Sequence, residues 1–290
     1  MRTVRPPLRF TLAVVASLAS AFALTACAQE DNTPDAASSP GADPCANVST
    51  VKDGTLTVAT SDPAFPPYVI GNNPENGKGF ESAVAYAVAD QMGFSKDKVS
   101  WTFAGFQQLF APGQKNFDFA LNQIGITTKR EQAVTFSDPY YEAANGVLVM
   151  KDSQFADATS LAELQDAKIG VQIGTTAGDQ VETEIAPTQE VAVFDDTTAS
   201  TTALANGQID ALVTDLPTTL YLATVQVDGS TVIGQLPGDV AADSWGLVLQ
   251  KDNPLVGCVN QAIGELKDSG ELQQITDQWM TEYAKAPVLN

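Results

Sequence analysis

The sequence predicts an α/β fold with largely parallel sheets, divided into two domains or lobes. Short β-rich runs alternate with apolar residues at helical spacing along the body of the chain, the signature of βα units. The chain has 290 residues, 44% of them hydrophobic and 17% charged. That is a globular composition, long enough for more than one core. No internal repeat of fixed period replaces that pattern.

The elements follow in order. Thr55–Thr60 is a β-rich run after Gly54. Phe80, Ala83, Val84, Ala87 and Val88 recur at helical spacing, and Gly93 stands where a helix would stop. Val99, Trp101 and Phe103 alternate as a strand, and Phe117–Ile124 is a further β candidate. Ser160-Leu-Ala-Glu163 predicts a capping box opening a short helix. Lys168–Gln172 predicts a strand, then Gly174-Thr175-Thr176 and a helix. Glu190–Phe194, a helix near 198–206 and Ile209–Thr214 continue the alternation. Amphipathic helices near 254–267 and 271–283, parted by Gly270, end the pattern.

The charge excludes several functions. There are 15 basic and 35 acidic residues, a net charge of -20. Phosphate binding needs clustered Lys and Arg, so nucleic acid is excluded as partner, as is docking to anionic lipid by charge. There is no histidine. This removes Ser-His-Asp and Cys-His catalysis and imidazole-ligated metals.

The N-terminus predicts export. Arg2, Arg5 and Arg9 precede the apolar stretch Phe10–Leu24, which is short for a membrane span. Leu24-Thr25-Ala26-Cys27 resembles a lipobox, in which cleavage precedes an acylated cysteine. Residues 1–26 are thus expected to be a signal peptide and Cys27 the lipidated residue. Residues 27–45 are expected to be a tether, because Ala28–Asp43 holds no aliphatic larger than Ala. Cys45 and Cys258 remain. An oxidising exterior favours their pairing, the alternative being two buried thiols.

The motifs are specific in their order. Segment 117–141 reads FDFALNQIGITTKREQAVTFSDPYY. Around it lie Asp62-Pro-Ala-Phe-Pro-Pro-Tyr68, Gly79-Phe80, Ile169–Thr176, Gly207–Asp215, Trp245-Gly246, Lys251-Asp-Asn253 and Gly270…Trp279. Together they resemble family 3 of the bacterial extracellular solute-binding proteins over about residues 54–284. The resemblance implies a two-lobed, type II (Venus-flytrap) periplasmic-binding-protein fold with two hinge strands. Lobe 1 would be 46–145 plus 243–290, and lobe 2 would be 146–242. An α-amino acid or related polar solute would sit in the cleft and pass to an ABC importer. A monomer with no cofactor or metal is expected.

The resemblance also assigns residues. Arg130, the only arginine after Arg9, stands at the carboxylate-binding position. A guanidinium grips a carboxylate through two parallel hydrogen bonds, which Lys cannot do. Asp215 matches the acceptor of the ligand ammonium, although Asp215-Leu-Pro also reads as a helix N-cap. Gly174, Thr175 and Thr176 would offer backbone N–H groups and hydroxyls to a carboxylate, or simply cap a helix. Phe65 and Phe106 match positions flanking the ligand side chain, and Asp62 one that reaches it. Gln123 and Gly125 stand where Ser or Thr is frequent, with Gln123 expected to extend into the pocket. Asp210 reads as structural. Two alternatives share the scaffold: an enzyme resembling cyclohexadienyl dehydratase, and an extracellular amino-acid sensor.

Overall fold

The computed structural model describes residues 43–46, 48–238, 244–283 and 285–290. The expected signal peptide, Cys27 and most of the expected tether lie outside the described residues.

In chain order the elements are β1 (Leu56–Thr60), α1 (Phe80–Gln91), β2 (Val99–Phe103), α2 (Phe106–Leu109), β3 (Phe119–Ala120), α3 (Thr128–Glu131), β4 (Val134–Glu142) and β5 (Asn145–Met150). Then come β6 (Ile169–Gln172), α4 (Thr176–Gln180), β7 (Ala192–Phe194), α5 (Thr197–Ala205), β8 (Ala211–Asp215), α6 (Leu216–Tyr221), β9 (Ser230–Gln235), β10 (Ser244–Gln250), α7 (Val256–Asp268) and α8 (Glu271–Met280). They build two five-stranded sheets, ordered β2-β1-β3-β10-β4 and β7-β6-β8-β5-β9. Each sheet anchors its own buried apolar clusters, so the molecule has two lobes.

The sheets are mixed rather than largely parallel. β1 runs parallel to β2 and β3, while β10 is antiparallel to β3 and β4. In the second sheet β6 is parallel to β7 and β8, and β5 is antiparallel to β8 and β9. The βα units supply the parallel strands. The antiparallel strands β4, β5, β9 and β10 belong to the passages between lobes. The chain changes sheet between Glu142 and Asn145, and again between Gln235 and Ser244.

Local sequence explains most elements. In α1, Phe80, Val84, Ala85, Val88 and Ala89 form a buried stripe. Gly93 follows the C-cap at φ 84°, a left-handed position that suits glycine. Gly79 opens this helix at φ 101°, and a Cβ there would lie 2.4 Å from the Tyr68 carbonyl. The first turn's N–H groups instead reach the preceding loop: Phe80 donates to Pro67, and Glu81 and Ser82 to Tyr68. The capping box at 160–163 opens only a short 3₁₀ turn, with Glu163 accepting from the Thr159 and Ser160 N–H groups. Of the β candidate 117–124, only Phe119 and Ala120 pair as a strand. Asp210, read as structural, accepts from the Lys168 N–H.

Cys45 and Cys258 are joined as a disulfide, with Cα atoms 4.8 Å apart. It ties the start of the body to α7, where Cys258 is fully buried. The C-terminus departs from the sequence division, which placed it with lobe 1. After α8 the chain crosses to the second sheet, where Val288 bridges Gln235 and the Leu289 N–H bonds the Gln235 carbonyl. Leu289 is 1% exposed, within the core of the second sheet. It packs so closely on Gly234 that a Cβ there would lie 2.7 Å from its Cγ. Lobe 2 therefore depends on the last residues of the chain. Leu289→Ala is expected to cost about 2–4 kcal/mol, read as a lowered Tm in a calorimetric scan.

Candidate functional site

The carboxyl ends of β1, β6 and β8 open into one cleft between the sheets, the place where open α/β sheets bind ligands. A cavity of about 250 Å³ lies there. Lobe 1 lines it with residues 60–65, Tyr68, Val69, Glu81, Gly105, Phe106, Asn122 and Gln123. Lobe 2 adds Gln172, Thr175, Asp195, Asp196, Thr197, Thr214, Asp215 and Thr218. A recess of about 30 Å³, lined by Phe106, Gln123, Arg130, Asn145, Thr175, Thr176, Asp215 and Trp245, shares several of these walls.

Arg130 sits in α3, whose N-cap Thr127 accepts from the Arg130 N–H. The residue is buried, at 8% exposure. Its guanidinium lies 4.4 Å above the Phe110 ring and 5.9 Å from Phe106. Such stacking suits a planar cation. Nη1 donates to the Gly125 carbonyl, and Nη2 reaches across the cleft to the Gly174 carbonyl at 2.7 Å.

Asp215 ends β8 and caps α6, its Oδ1 accepting the Thr218 N–H at 2.8 Å. The helix-cap reading of its sequence position is thus met. Oδ1 also accepts the Tyr68 hydroxyl from lobe 1. Among the described residues Oδ2 has only the Thr214 hydroxyl, at 3.4 Å. Burial raises the Asp215 pKa, and the bonds from Tyr68, Thr218 and Thr214 oppose that rise.

Glu81 was not read as a site residue, yet it is fully buried and lines the cavity. It accepts the Gln123 N–H at 2.6 Å, the Gln123 side-chain amide and the Tyr140 hydroxyl. Burial pushes its pKa up from 4.5 to about 7; these donors pull against that, and nearby Asp215 adds to the rise. Desolvation raises the phenols of Tyr68 and Tyr140 well above 10, with the facing Asp215 and Glu81 adding to it; Tyr141 is pushed to about 12. The sequence did hold a signal for Glu81: a carboxylate within the apolar stripe of α1. Tyr68 and Asn122 were also missed. Asn122 Oδ1 fastens Thr60 and Ser61 at the end of β1.

The other expected residues divide. Phe65, Phe106, Asp62 and Thr175 line the cavity, and Thr176 lines the recess. Asp62 accepts from Asn72 at 2.8 Å, and the Thr175 hydroxyl donates to the Gln172 carbonyl. Gln123 lines the cavity with φ 50°, but its amide is held by Glu81 rather than extended freely. Gly125 lines neither space; its carbonyl receives Arg130. Among the described residues the cavity thus presents five carboxylates, Asp62, Glu81, Asp195, Asp196 and Asp215, and no Lys or Arg. Among the described residues no group of His, Cys, Asp or Glu is placed to hold a metal ion, and no helix is long and apolar enough to cross a membrane.

Comparison with known proteins is consistent with this arrangement. The family model of bacterial extracellular solute-binding proteins, family 3, matches residues 56–282. The chain is 28% identical over 233 residues to an arginine-binding periplasmic protein of Mannheimia haemolytica, covering 77% of this chain and 90% of that one. It is 27% identical to the L-cystine-binding protein TcyJ of Escherichia coli (strain K12), covering 78% and 82%. Among solved structures, an ancestral arginine-binding protein bound to glutamine matches with TM-score 0.66 and 31% identity, covering 79% of this chain and 98% of that one. The ancestral amino-acid-binding protein AncCDT-1, described as a precursor of cyclohexadienyl dehydratase, matches with TM-score 0.64 and 28% identity, covering 78% and 95%. The motifs, the two-lobed fold and the family match converge: this chain belongs to the bacterial extracellular solute-binding proteins of family 3.

Proposed function

We propose that this chain is a solute receptor that captures an α-amino acid between its lobes and delivers it to an ABC importer. One observation carries the reading. The same recess is lined by Arg130 from lobe 1 and Asp215 from lobe 2, opposite charges suited to the two ends of an amino-acid zwitterion. Arg130 takes the carboxylate, helped by the Gly174–Thr176 turn, and Asp215 takes the ammonium. Phe65 and Phe106 give apolar walls to the side chain. Five cavity carboxylates without a basic residue favour a polar or cationic side chain. Relatives named for arginine and cystine support that class.

Ligand contacts to both lobes stabilise the closed form over an open one, so binding shifts a hinge equilibrium. The hinges lie where the chain changes sheet, after Glu142 and after Gln235. Lobe 1 comprises the first sheet with α7 and α8, and lobe 2 the second sheet with the C-terminal residues. The chain is exported, acylated at Cys27 and held to the outer face of the membrane through its tether, acting as a monomer. The enzyme alternative gains no support from AncCDT-1, which is itself named an amino-acid-binding protein; steady-state product formation from prephenate-like substrates would be needed to revive it.

Three outcomes test this reading. In a thermal-shift panel of amino acids, simple carboxylates and polyamines, one amino-acid class is expected to raise the Tm with its concentration. No shift with any amino acid would sink the proposal. In isothermal titration, Arg130→Ala is expected to weaken binding of that amino acid at least about a hundredfold with native circular dichroism. Arg130→Lys should rescue little, since it keeps the charge and loses the fork. Wild-type affinity in a folded Arg130→Ala chain would remove Arg130 from the site.

The third outcome concerns Glu81. With a folded pKa of about 7 against an ordinary 4.5, the native state holds this proton longer than the unfolded state does. Its contribution to stability therefore falls as pH rises from about 4.5 to 7. Urea unfolding of Glu81→Gln and wild type at pH 5 and pH 8 should show the difference moving towards the variant at pH 8, by up to about 3 kcal/mol.

A further inference from the structure

Asp215 is the acceptor of the ligand ammonium in the function proposed above, and the inference here rests on that reading. Its two oxygens differ. Oδ1 is occupied by the Thr218 N–H, 2.8 Å away, and by the Tyr68 hydroxyl, while among the described residues Oδ2 meets the Thr214 hydroxyl alone, at 3.4 Å. Thr218 and Thr214 belong to the same lobe as Asp215. Tyr68 comes from the other.

Tyr68 is rigidly held. It is 2% exposed. Its carbonyl receives the Glu81 and Ser82 N–H groups of α1, and its own N–H bonds the Phe65 carbonyl. Its ring packs edge-on against Trp245 at 5.7 Å. The hydroxyl therefore occupies a fixed point on lobe 1, and also lies 3.3 Å from the Thr218 hydroxyl.

We propose that Tyr68 is a positioning residue for the ammonium site: its hydroxyl occupies Asp215 Oδ1 across the cleft, turning Oδ2 to the ligand and completing the acceptor only when the lobes meet. Ammonium recognition is thereby coupled to closure by a bond that the ligand does not itself make. A hydroxyl donated to a carboxylate favours its ionised form. Loss of that donor raises the Asp215 pKa and moves the acid limb of binding to higher pH. Among the described residues, the other titratable or charged groups around Asp215 are Glu81 on α1, Tyr140 and Tyr141 on β4, Arg130 on α3, and Asp62, Asp195 and Asp196 lining the same cavity. All remain in a Tyr68→Phe chain, so its difference from wild type isolates one hydroxyl.

The test has two parts. Carboxyl-carbon NMR titration of the closed protein, saturated with whichever of L-arginine and L-glutamine binds, follows Asp215, its resonance assigned through Asp215→Asn. Tyr68→Phe is expected to raise the Asp215 midpoint; an unchanged midpoint overturns the proposal. Isothermal titration with L-arginine, and with L-glutamine in parallel, is then run across pH. Tyr68→Phe should bind about tenfold more weakly at neutral pH, the range for a bond to a charged group, with its acid limb shifted upwards. Unchanged affinity and an unmoved limb overturn it as well. Should Tyr68→Phe lose its native circular dichroism, 3-fluorotyrosine at position 68, a stronger donor of nearly the same shape, is expected to lower the Asp215 midpoint; no movement overturns the proposal. Failure of wild type to bind either amino acid, or full binding by Asp215→Asn, strikes the underlying function instead and is distinguishable from a failed Tyr68 role.

Discussion

A carboxylate cannot remain ionised inside a protein without fixed donors, and this cleft is built around that constraint. Glu81 is fully buried and Asp215 half-buried between the sheets. Their donors come from separate elements: the loop after β1, the turn after β3, strand β4 and the start of α6. Satisfying these two groups fixes the relative placement of all four. The aromatic residues around them, Tyr140, Tyr141 and Trp245, keep water out and keep the local dielectric low.

The positive charge is handled by the opposite device. Arg130 lies over the Phe110 and Phe106 rings and gives hydrogen bonds to carbonyls on both sides of the cleft. A guanidinium tolerates this setting because it is weakly hydrated and its donors lie in one plane. The cleft thus holds one buried cation in a surround of carboxylates, and the field inside it is strongly asymmetric. That asymmetry suits a zwitterion and penalises an anionic side chain.

The fold delivers these groups through ordinary local rules. Parallel strands end at the cleft, and the residues following them carry the chemistry. Ser61 and Asp62 follow β1, Thr175 follows β6, and Asp215 closes β8. The disulfide and the C-terminal residues then secure one lobe each, Cys45 on α7 and Leu289 in the second core.

Local pattern determined the helices and parallel strands, because apolar spacing and turn residues act within a few positions of the chain. It also pointed to the lone body arginine, to Asp215 as a helix cap and to Cys45 with Cys258. The antiparallel strands β4, β5, β9 and β10 were not legible, since their partners lie in distant segments and their pairing follows from where the chain changes sheet. Glu81, Tyr68 and the C-terminal crossing were hidden for the same reason. A glutamate in a helix or a tyrosine in a proline-rich loop carries no mark of its partner. Only the tertiary structure brought the Tyr68 hydroxyl to a carboxylate 147 positions away, and Leu289 against Gly234. Sequence spacing fixes which face of an element a residue occupies; which face it then meets is decided by the burial of two whole lobes against each other.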